Sequence, residues 1–195
     1  LEIAGPLYDC NGNGQDDSID IAMSFSTDFN SNGIPAECEP PFFTSFCDCS
    51  SPQGPCGNSY AAGGCMNSTG VGAILTPSGS NSASANNLVL TCTQMPTNVS
   101  CILFTSSNIG GPVFFKDGLR CLYGPISRYQ PVKNSGALGT ANWGPGLTTQ
   151  SFALNPANWI VSSATIGFQT WYRDPTGPCS TFSNVSNAVQ VLFIP

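Results

Sequence analysis

A loop pattern that occurs twice, with its second copy displaced by 19 residues, constrains this chain more than any other feature of its sequence. The copies occupy residues 9–20 and 28–39, and each reads D-x-N-x-N-G-x5-D/E. In this spacing the side chains at positions 1, 3 and 5 direct oxygen atoms to one point. The glycine at position 6 makes a sharp turn, and the acid at position 12 completes the ligand shell. Each copy therefore predicts a loop that binds one Ca²⁺ ion, so the chain is expected to bind up to two.

The two loops supply their predicted ligands from corresponding positions. In the first loop the position 7 ligand is a backbone carbonyl, and the position 9 ligand, Asp17, binds directly or through water. In the second loop Ala36 replaces the oxygen donor at position 9, so water or Glu37 is expected to take its place and the site to be weaker. The competing interpretation is a pair of Asn-Gly turns without a metal. The occurrence of two loops in the same register favours the calcium interpretation over it. The predicted ligands are Asp9, Asn11, Asn13, Gln15, Asp17 and Asp20 in the first loop, and Asp28, Asn30, Asn32, Ile34 and Glu39 in the second.

Acidic residues are concentrated in the part of the chain that holds the loops. Residues 1–40 contain eight acids and no lysine or arginine, whereas residues 41–195 contain three acids and all five basic residues. Two Ca²⁺ ions would neutralise half of the eight negative charges, which otherwise repel one another. The nearly neutral remainder argues against nucleic acid as a partner, and no apolar run approaches the length of a membrane span.

Ten cysteines and no histidine indicate disulfide bonds formed in an oxidising compartment. A sequence that begins with Leu1 rather than methionine predicts a secreted, extracellular protein whose signal peptide has been removed. Cys10 and Cys38 adjoin the first ligand of one loop and the last ligand of the other, so a bridge between them would hold the loops together. For the four cysteines between residues 47 and 65, a zinc site is the competing interpretation. The other predicted pairs are Cys92–Cys101, Cys121–Cys179 and two bridges of undetermined pairing among Cys47, Cys49, Cys56 and Cys65.

Beyond the loops, short runs of β-branched and aromatic residues separated by Gly, Pro and Asn are typical of β-strands. No stretch of ten or more residues shows a helical period. The chain is therefore predicted to be all-β, an antiparallel β-sandwich of the jelly-roll type with a small N-terminal calcium-loop arm. Its predicted parts are a strand-like segment (1–8), the arm (9–40) and a disulfide-stapled sandwich (41–195). The candidate strands are 71–76, 88–93, 101–105, 113–115, 119–123, 126–132, 147–154, 159–162, 165–172 and 188–194.

Two stretches of the sequence resemble known families. Residues 9–39, with the motifs DCNGNG and SNGIPAECE, resemble the dockerin-like and thrombospondin type 3-like calcium repeats of secreted proteins. The spacer at residues 21–27 is shorter than the helix between dockerin loops, which weakens a docking role. Residues 47–193, with GCMNSTG, DGLRC, WYRDP and SNVSNAVQVLF, resemble a domain found at the ends of secreted bacterial proteins that carry such repeats. The resemblance implies a bacterial extracellular protein without established enzymatic activity, and it transfers no functional site.

The sequence offers few residues for catalysis, so we expect no enzymatic activity. The absence of histidine removes Ser-His-Asp and Cys-His nucleophiles. In residues 41–195 the acids are Asp48, Asp117 and Asp174. Asp117 precedes a glycine and Asp174 precedes a proline, which is typical of turns rather than of the facing carboxylates of a glycosidase.

Aromatic residues and sequons are the features that bear on carbohydrate. Four aromatic residues either form a platform on which sugars stack or belong to the sandwich core. These residues are Trp143, Trp159, Trp171 and Tyr172. Three N-x-S/T sequences predict glycan attachment at Asn67, Asn98 and Asn184.

The combination of a calcium-stiffened arm with a disulfide-rich sandwich predicts a non-catalytic extracellular structural protein. The first eight residues carry Leu1, Ile3 and Leu7, which are spaced like the buried face of a strand. Such a segment could add to the edge of a neighbouring sheet, and a head-to-tail contact of that kind propagates into a homopolymeric fibre or surface layer. The alternative is a carbohydrate-binding or adhesion module of a secreted bacterial protein.

Overall fold

The computed structural model of the 195-residue chain describes residues 8–28, 33–39, 41–50 and 54–195. The chain divides into two compact units, Leu1–Phe42 and Phe43–Pro195. In the first unit the described elements are helix α1 (Asp17–Ala22) and a 3-10 helix (Ala36–Cys38). Asp16 caps α1, because its carboxylate accepts a hydrogen bond from the backbone N–H of Ser18 at 3.0 Å.

The second unit is built from short β-strands and one short helix. Helix α2 spans Leu147–Ser151, and a second 3-10 helix spans Pro156–Asn158. The described strands are β1 (Phe43–Phe46), β2 (Ile74–Ser78), β3 (Val89–Thr93), β4 (Ser100–Ser106), β5 (Asn108–Phe115), β6 (Gly118–Tyr123), β7 (Ser127–Arg128), β8 (Lys133–Asn134), β9 (Ala141–Trp143), β10 (Thr165–Arg173) and β11 (Ser183–Leu192).

The strands form antiparallel sheets, which confirms the all-β prediction. The largest sheet has the order β1-β11-β10-β4-β7, and β8 also pairs with β4. A second sheet has the order β2-β3-β9, and β5 and β6 form a separate hairpin. The central strands β10 and β11 are almost entirely buried, because neighbours flank them on both sides and other elements cover their faces.

Buried amide side chains connect β11 to its neighbours. The side-chain oxygen of Asn187 accepts from the backbone N–H of Leu75 at 2.7 Å, and its nitrogen donates to the carbonyl of Leu75 at 3.2 Å. On β10, the side-chain nitrogen of Gln169 donates to the carbonyls of Leu119 and Ser186, both at 2.7 Å. Because these groups are buried and hydrogen-bonded, they specify how β2, β6, β10 and β11 pack.

Two of the predicted strands are wrong. Residues 147–154 contain helix α2 instead, since Leu147 and Ser151, four residues apart, are the buried positions of a helical turn. Residues 159–162 follow a 3-10 helix whose last bond runs from the backbone N–H of Trp159 to the carbonyl of Pro156. Residues 126–132 form only β7, because Pro131 has no N–H to extend the ladder.

The structure contains four disulfides, and the bridge predicted between Cys10 and Cys38 is confirmed. The predicted pairs Cys92–Cys101 and Cys121–Cys179 are wrong. Strand β3, which carries Cys92, and strand β4, which carries Cys101, belong to different sheets, so the connection between them is a crossover and not a hairpin. The four cysteines between residues 47 and 65 are all oxidised, which excludes a four-cysteine zinc site. The prediction of two bridges within this group of four is also wrong, because only one bridge joins two of its members. The observed bridges in the second unit are Cys47–Cys121, Cys49–Cys65 and Cys56–Cys179.

The buried thiol of Cys92 predicts a loss of stability at alkaline pH. Burial raises its pKa from 9.0 to about 12, because removal from water disfavours the thiolate. The unfolded chain therefore loses this proton first, and stability that is fully present below pH 9 is lost progressively towards about pH 12. From this group alone, we expect the free energy of unfolding to be about 1.4 kcal/mol lower at pH 10 than at pH 7.

Urea unfolding at the two pH values measures this effect, with Cys92→Ala as the matched variant. The variant keeps a small apolar side chain and removes the titrating group. Burial also raises the pKa values of Tyr129 and Tyr172 above 10.0, so both proteins should lose further stability above that pH. An equal pH dependence of the two proteins below pH 10 would contradict the assignment.

Candidate metal centre

The first predicted calcium loop is folded around the carboxylate of Asp9. One carboxylate oxygen accepts from the backbone N–H groups of Gly12 and Asn13, at 2.8 and 3.1 Å. The other accepts from the backbone N–H of Gly14 at 2.8 Å. Gly14 has a φ of +86°, a left-handed conformation that glycine adopts without steric cost. Position 6 of the pattern is therefore the turn that its glycine predicts.

Three predicted ligands of this loop contact one another near its last position. Asp20, at position 12, lies on α1 and is 0% exposed. Its Oδ2 accepts from the side-chain amides of Asn11 and Asn13, at positions 3 and 5, over 3.0 and 2.8 Å. Its Oδ1 is buried and has no hydrogen-bond partner. An unpartnered buried carboxylate oxygen is costly, and a cation placed among these side chains would remove that cost.

Asp17, the predicted position 9 ligand, lies beside the disulfide of the same unit. It is 8% exposed, and its Oδ1 accepts from the backbone N–H of Cys10 at 3.0 Å. The Cys10 and Cys38 sulfurs and a carboxylate oxygen of Asp17 lie within 4.8 Å of one another. The two sulfurs are joined in a disulfide and offer no thiolate, so this trio is not a thiolate metal site. Its role is to hold the end of one loop against the start of the other.

The second loop repeats the carboxylate and glycine geometry of the first. The Oδ2 of Asp28 accepts from the backbone N–H of Gly33 at 2.8 Å, the same distance as between Asp9 and Gly14. Gly33 has a φ of +84°, within two degrees of its counterpart. Asn30 and Asn32 lie outside the described residues.

The backbone around the loops repeats as well. The N–H of Asp17 donates to the carbonyl of Tyr8 at 2.6 Å, and 19 residues later Ala36 donates to Thr27 at 2.7 Å. Helix α1 and the 3-10 helix of the second loop therefore begin at equivalent positions. The sequence repeat is thus also a structural repeat, although Ala36 brings no side-chain oxygen to position 9.

The carboxylate of Glu37, a candidate to replace the missing donor at position 9, contacts the first loop. Its Oε1 accepts from the hydroxyl of Ser26 and from the side-chain amide of Asn11, the latter at 3.4 Å. The hydrogen bond from Ser26 lowers the pKa of Glu37, because it favours the ionised carboxylate. In this arrangement Glu37 connects the two loops and adds a negative charge near the first.

The acids predicted to lie at turns of the second unit are both fully buried. Asp117 accepts from the backbone N–H groups of Cys179 and Thr181, at 3.2 and 3.1 Å. Asp174 accepts from the backbone N–H of Ser68 at 3.0 Å. A Cβ at Gly177 would collide with both carboxylates, so glycine is required there. These two acids hold the loop that follows β10 in place, and neither is open to a substrate.

Of the two interpretations of the aromatic residues, the core interpretation holds for two of the four, so the four do not form one platform. Trp143 is 3% exposed and Tyr172 is 1% exposed, so both belong to the core. Trp159 is exposed and packs edge-to-face on Phe152, with ring centroids 5.5 Å apart. Trp171 is half-buried and lines a groove on the largest sheet.

Two of the three predicted glycan sites are inaccessible. The Asn67 side chain is buried and donates to the carbonyl of Gln94 at 2.8 Å. The Asn184 side chain is also buried and donates to the carbonyl of Cys65 at 3.1 Å. A glycan cannot be attached to either nitrogen in the folded protein. Asn98 is exposed, and glycan attachment there stays a prediction.

In comparisons with known proteins, no family, no curated protein and no solved structure matches this chain. The resemblance to calcium-repeat proteins therefore stays a prediction. Among the described residues, no helix has both the length and the apolar character needed to cross a membrane.

Proposed function

We propose that this protein is a calcium-stabilised, non-catalytic structural protein of the extracellular space. We further propose that copies join head-to-tail through the N-terminal segment into a fibre or surface assembly. The observation that carries the calcium proposal is the buried, unpartnered Oδ1 of Asp20. Asn11 and Asn13, which share this pocket of polar atoms, are the residues whose spacing predicts calcium ligands.

The donor chemistry of the first loop suits calcium rather than a softer metal. Asp9, Asn11, Asn13 and Asp20 offer only oxygen ligands, which hard cations such as Ca²⁺ prefer. When bound, the ion would neutralise the buried Asp20 and tie both ends of the loop to one point. Because a disulfide joins the loops, rigidity gained in one would be passed to the other.

An extracellular location is supported by the disulfides. Four disulfides within 195 residues are typical of proteins that fold in an oxidising compartment.

The composition favours contact between copies. Charged residues make up only 8% of the chain, so the second unit has little electrostatic repulsion to oppose contact between copies.

Open sheet edges support the assembly proposal. Among the described strands, β1 is the last on one side of the largest sheet, and on the other side β4 pairs only with the two-residue strands β7 and β8. Such edges are templates for an added strand. The predicted assembly residues Leu1, Ile3 and Leu7 lie outside the described residues.

Removal of residues 1–8 is expected to convert assemblies into monomers, because it removes the apolar segment that bridges copies. Calcium chelation should have the same effect, because it loosens the arm that presents this segment. Ile3→Asp should weaken assembly, whereas Ala4→Asp, which places the same charge on the opposite face of an extended segment, should weaken it less. Negative-stain electron microscopy, with and without chelator, measures particle length. Filaments of unchanged symmetry from the truncated chain would place the contact elsewhere.

A further inference from the structure

A groove beside strands β4 and β10 of the largest sheet has an apolar lining. It consists of two cavities of about 220 and 70 Å³ that share Trp171 as a wall. Trp171 lies opposite Ile102 on β4, and Phe104 is two residues further along the same strand, so Ile102 and Phe104 face the same side. We call this the Trp171 groove. Its apolar lining includes Ile102, Phe104, Phe115, Ile126 and Val132.

Three of the five basic residues of the chain line the Trp171 groove: Arg120, Arg128 and Arg173. The guanidinium of Arg120 lies 5.3 Å from the ring centroid of Phe115, and that of Arg173 lies 5.6 Å from the ring centroid of Trp171. Aromatic rings therefore hold these cations in place. Within the part of the chain that the structure describes, none of the three arginines forms an ion pair.

Polar atoms of the groove also lack partners. The Nε of Arg120 and the indole nitrogen of Trp171 are buried without a hydrogen-bond acceptor among the described residues. No acid of this unit lines either cavity, since Asp117 and Asp174 are buried elsewhere and the exposed Asp48 is not among the lining residues. The groove therefore combines apolar cavities with uncompensated positive charge, and it suits a segment that is both apolar and acidic.

The first residues of this chain have that chemistry. Leu1 and Ile3 alternate with Glu2, and in an extended segment two side chains on one face are about 6.6 Å apart. That is also the spacing of Ile102 and Phe104 along β4, each of which lines one of the two cavities. Glu2 lies within this segment, and the acidic arm follows directly, where Asp16 is an acid that is not a predicted calcium ligand.

We infer that the N-terminal segment of a second copy of this chain docks in the Trp171 groove, with its apolar side chains in the two cavities and its acids at the arginines. This inference rests on the proposed head-to-tail assembly, and it places the receiving surface on a face of the largest sheet rather than at one of its edges. The contact is heterologous, since the segment of one copy meets the groove of the next, so it propagates instead of closing into a dimer.

The test uses the full chain with two kinds of variant. The groove variant carries Arg128→Glu and Arg173→Glu, which reverse two charges at exposed positions. The segment variant carries Ile3→Asp. Lys116→Glu is the matched control, because Lys116 is an exposed basic residue that lines neither cavity. Sedimentation velocity in calcium measures the size of the assemblies.

We expect the groove variant to associate about 10- to 100-fold more weakly than the unmodified chain, and Lys116→Glu to associate normally. At concentrations where the unmodified chain begins to assemble, the groove variant and the segment variant should each be monomeric. An equimolar mixture of these two should form dimers and nothing larger, since it contains one intact segment and one intact groove. Higher salt should weaken the association of the unmodified chain.

Several outcomes would overturn the inference. One is a groove variant that assembles like the unmodified chain, which would leave the assembly proposal standing. Another is an equal weakening by Lys116→Glu, which would indicate a nonspecific charge effect. Binding of an acidic polysaccharide to the groove without any self-association would assign it a different occupant. An unmodified chain that stays monomeric at every concentration would overturn the assembly proposal and this inference together.

Discussion

Replacing Asp20 with asparagine is expected to reduce the calcium stoichiometry measured by isothermal titration calorimetry from two ions per chain to one. Asp20 closes the first loop at position 12, and its buried carboxylate has an oxygen without a partner. Asparagine keeps the size of the side chain but removes the charge that Ca²⁺ needs from this position. The heat of calcium binding that remains should come from the second loop, which is expected to be the weaker site because the side chain of Ala36 has no oxygen.

The same substitution should remove the stabilisation that calcium gives through the first site. At a free calcium concentration 100 times the dissociation constant, one bound ion stabilises the folded state by about 2.7 kcal/mol. Asp16→Asn is the matched control. Asp16 lies four residues away at the start of α1, where asparagine also serves as a cap, and it is not a predicted ligand. Two bound ions in the Asp20→Asn variant, or no heat from the unmodified chain in millimolar calcium, would contradict the calcium assignment.

The turns of the first loop were predictable because they depend on residues that are close in sequence, whereas helix α1 was not predicted. All the predicted ligands of the first loop lie within residues 9–20, and the bonds of Asp9 to Gly12 and Gly14 follow from their spacing. The Cys10–Cys38 bridge followed from the positions of both cysteines beside ligands. Local rules therefore sufficed for these features.

The second unit was predictable only in class, since its details depend on how distant strands meet. Cys92 and Cys101 are nine residues apart, yet they lie on strands of different sheets. The Trp171 groove draws its arginines from β6, β7 and β10, and nothing in the local sequence around Arg120 or Arg173 indicates that they converge. Helix α2 was mistaken for a strand because a five-residue helix is too short to display a period.

Removal of the Cys56–Cys179 bridge is expected to cost about 4–5 kcal/mol of unfolding free energy, the largest effect of any change considered for the second unit. The two cysteines are 123 residues apart, and a bridge that closes a long loop removes more conformational entropy from the unfolded chain. The Cys47–Cys121 bridge shortens the effective loop, but the route that remains is still several times longer than the loop closed by Cys49–Cys65.

The Cys49–Cys65 bridge is the matched comparison, because its cysteines are only 16 residues apart. Chain entropy predicts a loss of about 3 kcal/mol for its removal. Packing predicts the opposite order, since Cys49 and Cys65 are fully buried whereas Cys56 is exposed, and deletion of buried atoms leaves a cavity. Urea unfolding of the two double alanine variants, each compared with Cys92→Ala/Cys101→Ala as a variant that breaks no bridge, decides between these contributions. A larger loss for Cys49→Ala/Cys65→Ala would show that packing in the folded state outweighs the entropy of the unfolded chain.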